Sequence, residues 1–202
     1  DDLRKIAFHV RINRPMSLFA RCWLLVEGET EIWLLSELAQ ICGYSLRAEG
    51  VRIIEFAQCG QAPLIKVARD FGIEWHLLTD GDEAGAKYAS SARSLLKGER
   101  ERDRITQLPS ADIEHYLYHN GFEAVFRREA GVGGRSTLNA GRIIAKAIHH
   151  RSKPGLALAV ASDAAADRFD TAYILTTDGD HAATTRFLHE AYPDKTVVSV
   201  AP

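Results

Sequence analysis

The sequence predicts an α/β fold: a parallel sheet flanked by helices, with an additional helical subdomain in its second half. Three observations predict it. Short apolar runs near 22–27, 51–57 and 74–79 each end in a turn and pass into a helical pattern. Acidic residues stand where those runs stop. Beyond about residue 112 the pattern becomes helical for some fifty residues. Strand–helix alternation of this kind implies parallel strands with right-handed crossovers, so the strand ends share one edge.

Taken in order, residues 3–19 mix basic and apolar side chains, and alternation over 6–12 suggests an extended lead-in ending near Pro15. A strand at 22–27 closes on Glu27 and Gly28, and a helix from about Thr30 to Cys42 ends at Gly43. The second strand, 51–57, turns through Gln58-Cys59-Gly60-Gln61 into a helix with Leu64, Ile65, Val67, Ala68 and Phe71 on its apolar face. The third, 74–79, runs into Thr79-Asp80-Gly81-Asp82-Glu83-Ala84-Gly85 and a helix reaching about Lys97. Residues 98–104, dense in both charges, read as a solvated connection. A short strand at 105–108 leads to Ser110, an N-cap candidate, with Asp112 and Glu114 in the first turn of a helix over 112–127. Two more helices at about 137–150 and 154–167 flank a basic turn, His149-His150-Arg151-Ser152-Lys153-Pro154-Gly155. The tail, 168–202, reads as one further βαβ unit. Three units follow: 1–108 as the core with its lead-in, 109–167 as a site-closing segment with a helical subdomain, and 168–202.

Composition bounds the function. The 202 residues are 46% hydrophobic and 26% charged, with a net charge of −2, which argues against a generally basic nucleic-acid binder. Local basic patches with metal ions remain open to it. Cys22, Cys42 and Cys59 are odd in number and form no CxxC pair, so they read as reduced core thiols of a cytoplasmic protein. No run approaches the roughly 18 apolar residues of a membrane span. The chain begins Asp1-Asp2 without methionine, as a piece of something longer would. No GxGxxG or GxxxxGK[ST] loop occurs.

Chemistry gathers at the strand ends. Glu27, Asp80 and Asp82 end strands that share an edge, and Glu31 lies one helical turn beyond Glu27. Such carboxylates raise one another's pKa unless a divalent, oxygen-loving cation such as Mg²⁺ or Mn²⁺ neutralises them. No Cys/His set points to zinc. Ser110, Asp112 and Glu114 follow the fourth strand and can close the same site. Two metals about 4 Å apart suit phosphodiester hydrolysis. Lys153 can then place a positive charge on the transition state, and Arg151 beside it is a second DNA-contacting cation. First-turn glutamates are common for dipole reasons, and His76 and His115 read as core or surface groups rather than ligands.

These motifs resemble a toprim domain, the metal-binding module shared by topoisomerases, DnaG-type primases and several nucleases. Glu27 with Asp80 and Asp82 matches its strand-end glutamate and later Asp-x-Asp. With Leu25-Val26-Glu27-Gly28-Glu29-Thr30-Glu31 and Ser152-Lys153-Pro154-Gly155, residues 15–166 resemble the C-terminal nuclease region of overcoming lysogenization defect (OLD) proteins. The resemblance implies metal roles for Glu27, Glu31, Asp80, Asp82, Ser110, Asp112 and Glu114, and catalytic roles for Glu27 and Lys153. It also implies two-metal cleavage of DNA without sequence specificity, an N-terminal ATPase absent from this chain, and room for a homodimer through the full-length protein. The tail looks instead like a NYN/PIN-like nuclease fragment, with Asp170, Asp178 and Asp180 at matching positions. Two other readings stand beside these: a non-catalytic, receiver-like or platform module that binds Mg²⁺, and a toprim primase or topoisomerase fragment.

Overall fold

The computed structural model describes residues 15–133, 136–166, 171–175 and 196–200. A tight turn, Pro15–Phe19, precedes the sheet, and the lead-in expected over 6–12 lies outside the described residues. Four parallel strands, β1 (Cys22–Val26), β2 (Val51–Glu55), β3 (Glu74–Thr79) and β4 (Ile105–Gln107), pair in the order β2-β1-β3-β4. Leu25 of β1 lies level with Ile54 of β2 and with Leu77 of β3, and all three are fully buried. Four short helices follow the strands: α1 (Glu29–Ile41), α2 (Gln61–Asp70), α3 (Glu83–Arg93) and α4 (Glu101–Arg104).

The chain leaves β1 toward β2 on one side, then crosses back over β1 to reach β3 on the other. Right-handed crossovers then put α1 on one face of the sheet and α2 and α3 on the opposite face. Packing follows that rule. Trp23, Leu25, Trp75 and Leu77 bury against Leu64, Ile65 and Ala68 of α2 and Ala89 and Ala92 of α3. Each large side chain contributes about 2–3 kcal/mol by its burial. Leu34 of α1 joins a second core, with Ile113, Leu117, Phe126, Ile143 and Val160 of the helical subdomain. The reversal of direction falls between β1 and β3, and open α/β sheets take their ligands at the carboxyl ends of such strands.

That subdomain comprises α5 (Ile113–Leu117), a π-helical turn Tyr118–Phe122, α6 (Glu123–Glu129) and α7 (Ala140–Ala166). The helix expected over 112–127 is therefore broken. Asn120 leaves helical geometry and Gly121 takes φ 108°, which glycine adopts at little cost. The two helices expected around the basic turn are present as the two halves of α7, separated by a break at Ser152 alone (φ 63°, ψ 165°). Pro154 falls in the first turn after that kink, where a missing N–H costs nothing.

Other details also differ from expectation. Phe71 is 64% exposed, because α2 ends at Asp70 and the following turn swings it off the apolar face. Cys42 is exposed just past α1; all three cysteines are free. The charged stretch before β4 is not a loose connection. Arg69 and Arg104 each stand 5.6 Å from the Trp75 ring centroid, and Glu99 pairs with both, at 2.5 and 3.1 Å. The cations cover an aromatic that the sheet leaves at its edge. Ser110 caps nothing: Asp112 is the N-cap of α5. In the tail, β5 (Thr171–Leu175) and β6 (Thr196–Val200) pair in parallel as a separate two-stranded sheet. Asp170, Asp178 and Asp180 lie outside the described residues.

Candidate metal centre

Each acidic side chain is placed by an element boundary. Glu27 follows β1 and Asp80 follows β3, and the Asp80 amide donates to Glu27 Oε2 at 3.3 Å. Asp82 caps α3, its Oδ1 accepting the Gly85 amide at 2.7 Å. Asp112 caps α5 in the same way through the His115 amide, and the His115 ring Nδ1 also lies 2.7 Å from Asp112 Oδ1. Glu31 and Glu114 sit in first helical turns and are 5% and 2% exposed. Thr30 donates its hydroxyl to Glu114 Oε1 at 3.0 Å, and Lys153 Nζ lies 3.3 Å from the same oxygen. One buried carboxylate thus ties α1, α5 and the kink of α7 together. Lys153 keeps about half of its side chain in solvent (53%), which leaves its ammonium reachable.

Two glycines let the loops approach this closely. The Gly81 amide donates to the Ser110 carbonyl at 2.9 Å, and a Cβ on Gly81 would stand 2.4 Å from the carbonyl oxygens of both Leu108 and Ser110. A Cβ on Gly85 would stand 2.0 Å from the Asp80 carbonyl oxygen. So the Asp80–Asp82 loop is clamped between its own helix and the segment after β4.

The electrostatics are those of a crowded anionic crevice. Burial, then the charges of Glu31, Glu27, Asp112 and Glu114, push Asp80 up from its ordinary 3.8 to about 7. Burial also raises Glu27, with Asp82 adding to it, and raises Glu31, with Glu114 adding to it. Burial works against the charge of Lys153, yet Glu114, Glu31 and Asp112 outweigh it and hold the ammonium above its usual pKa. Asp80 Oδ1 is buried without a hydrogen-bond partner. An orphaned carboxylate oxygen among like charges fits a hard divalent cation. Among the described residues no three His, Cys, Asp or Glu side chains already converge at coordination distance. Loading an ion therefore requires side-chain rotation as well as neutralisation.

The structure brings Glu27, Glu31, Asp80, Asp112, Glu114 and Lys153 into electrostatic contact, with Asp82 beside Glu27. Ser110 joins through its backbone, at Gly81. Arg151 points elsewhere: its guanidinium pairs with Glu129 at 2.5 Å. Sequence reasoning missed Thr30, which reads as an ordinary first-turn residue, and the Asp112–His115 pair, whose i, i+3 spacing was the available signal. Ser152 was missed as well. It is the one non-glycine residue with positive φ among those described, in a region that costs about 1–3 kcal/mol, directly before the lysine that reaches the cluster.

A parallel sheet with acidic ends at the β1/β3 crevice and a helical subdomain behind it defines a toprim-type α/β protein. Residues 18–82 match the model of the overcoming lysogenization defect protein-like TOPRIM domain, and this segment belongs to that family. The C-terminal region of the Burkholderia pseudomallei OLD protein superposes with a TM-score of 0.61 at 22% identity, covering 74% of this chain and 90% of that one. The corresponding region of the Xanthomonas campestris pv. campestris OLD protein gives 0.57 at 18% identity, covering 71% and 83%. Both likenesses concern the fold. An uncharacterized protein of Escherichia coli (strain K12), YbjD, is 57% identical over 166 residues, which are 81% of this chain. The chain spans 30% of that relative's length. Among the described residues no helix is long and apolar enough to cross a membrane.

Proposed function

We propose that this chain is the catalytic, divalent-metal-dependent DNA endonuclease part of a larger ATPase–nuclease. The observation that carries the reading is Asp80 Oδ1, buried and unpartnered, inside a carboxylate cluster that also holds the Lys153 ammonium. The toprim family match supports a metal-binding nuclease module. Glu27, Glu31, Asp80 and Asp82 would hold the cations, Mg²⁺ or Mn²⁺ and two in number, with Asp112 and the Ser110 segment closing the site. When bound, such ions activate water and neutralise charge on the scissile phosphate. The chain's residues do the rest. Gly81 and Gly85 let the loop bearing Asp80 and Asp82 pack tightly, so its backbone is held in place and the carboxylate side chains have only to turn onto the ions. Glu27, which follows β1 at the crevice and whose carboxyl burial holds above its ordinary range, would take up the proton of an attacking water. Lys153, steered by Glu114, presents a positive charge to the phosphoryl oxygens as charge builds on them. Glu114 holds that lysine through one oxygen and keeps its second oxygen for an ion. The substrate is DNA without sequence preference, because cleavage needs only phosphate contacts.

A supercoiled plasmid incubated with Mg²⁺, Mn²⁺, Ca²⁺ or EDTA tests this reading. Nicked and linear products should form with Mg²⁺ or Mn²⁺ and vanish with EDTA. Plasmid left intact by a folded, metal-loaded protein would favour a non-catalytic metal-binding module instead.

A further inference from the structure

We propose that the first half of α7 is a track for the sugar–phosphate backbone of DNA, with Arg142, Lys146 and His149 as its contacts and Lys153 at its end. The inference rests on the reading above that DNA is the substrate, and deepens it by naming the surface that holds the strand.

Four observations carry it. Residues 130–162 contain no Asp or Glu, although the chain as a whole has 27 acidic residues against 25 Lys and Arg. Arg142, Lys146 and His149 recur at spacings of four and three, so at about 100° per residue they share one face of the helix within an arc of roughly 60°. All three are exposed, while Ile143, Ile144 and Ala147 bury the opposite face in the subdomain core. The acidic residues that pair with cations near this helix are already engaged: Glu129 by Arg128 and Arg151, Asp163 by Arg128, and Glu114 by Lys153. Arg142 and Lys146 have no acidic partner within salt-bridge distance among the described residues, so their charge is available to an outside anion.

Position makes that anion a substrate. The N-terminal end of the segment lies at the site, since a Cβ on Gly141 would stand 3.8 Å from the His115 ring, whose other nitrogen meets Asp112. The far end is Lys153 on Glu114. A basic face on a helix that meets His115 at one end and, through Lys153, Glu114 at the other suits a polyanion whose scissile group must lie in that cluster. Its length fits too. Arg142 to His149 covers about 10 Å of helix axis, over which one DNA strand rises through about three phosphates. A net-negative protein with an acidic centre needs such a surface, because the cluster by itself repels the strand.

The test is an Arg142→Glu/Lys146→Glu double variant, compared with wild type and with the milder Arg142→Gln/Lys146→Gln pair. Binding of a labelled duplex of arbitrary sequence is measured over a range of NaCl in Ca²⁺. Hydrolysis of bis(p-nitrophenyl) phosphate, too small to reach the track, is measured in Mn²⁺. Loss of two phosphate contacts should lower the slope of log affinity against log salt by about two. Affinity at low salt should fall at least tenfold in the Gln pair and further in the Glu pair, with small-ester hydrolysis and melting temperature unchanged. DNA affinity and slope equal to wild type would overturn the proposal. So would loss of binding to phosphatidylserine vesicles alone, which would mark the face as a membrane contact. Absence of small-ester hydrolysis in the wild type would instead count against the nuclease reading, with the binding arm still deciding on the track.

Discussion

Lys153→Ala should lower the single-turnover rate of DNA cleavage by about 100-fold, equivalent to about 3 kcal/mol of transition-state stabilisation. DNA affinity should change far less, since one contact among several contributes little to binding. The structure adds a complication that a careful experiment can remove. Lys153 is the cationic partner of Glu114, whose side chain is 3% exposed, so the alanine variant strands a buried carboxylate and should also lower the melting temperature. Lys153→Ala/Glu114→Gln neutralises that carboxylate while Thr30 still donates to the amide oxygen. The double variant should recover stability without recovering rate. Lys153→Arg should rescue only in part, because a planar guanidinium does not occupy the place of a compact ammonium. Rate and affinity falling by the same factor in Lys153→Ala would make the lysine a phosphate anchor and leave the transition-state charge to the metals.

Gly81→Ala should be one of the two most damaging glycine-to-alanine changes among the described residues, together with Gly85→Ala. Its methyl group would stand 2.4 Å from two carbonyl oxygens, both backbone, and neither can rotate away. The β3–α3 loop and the segment after β4 must separate, which costs about 3 kcal/mol as overpacking of a tight site. Asp80 and Asp82 then move relative to Asp112, so metal affinity and cleavage should fall together. Gly98→Ala is the natural control: it lies in open space, although its own φ of 85° makes it a strained site for alanine as well. Thermal melting and Mn²⁺ calorimetry of both variants check this. Gly81→Ala with wild-type metal affinity would mean that the loop does not shape the site.

Why some of this was readable before any coordinates, and some not, follows from range. Each strand and its following helix announce themselves locally, through a short apolar run, a glycine turn and a 3.6-residue pattern, and parallel topology then forces Glu27 and Asp80 onto one edge. The resemblance of three ordered motifs to toprim nucleases supplied Lys153, whose spacing alone said little. What escaped notice depends on contacts across the chain. Thr30 meets Glu114 across 84 residues, and no local pattern marks such a pair. Arg69 and Arg104 look like solvated charges until the sheet edge puts Trp75 between them. Phe71 fits an apolar face by period, but the helix stops one residue short of it. The kink at Ser152 is a strained single residue where a whole basic turn was the simpler reading.

The central claim is that the cluster around Asp80 is a destabilising concentration of charge that a divalent cation relieves. Melting temperature as a function of pH, for wild type and Asp80→Asn, with EDTA or with Mn²⁺, tests it most directly. The sign follows from linkage. Asp80 keeps its proton in the folded protein up to about pH 7, whereas the unfolded chain gives it up near 3.8. Metal-free stability should therefore decline as pH rises through that window and stay low above it. Asp80→Asn removes the largest part of the dependence, leaving that of Glu27 and Glu31, and at pH 8 in EDTA should melt roughly 5 °C above wild type. Mn²⁺ should raise the wild-type melting temperature at pH 8 and leave Asp80→Asn nearly unmoved. A wild type that ignores Mn²⁺, or an Asp80→Asn variant less stable than wild type in EDTA at pH 8, would contradict the account.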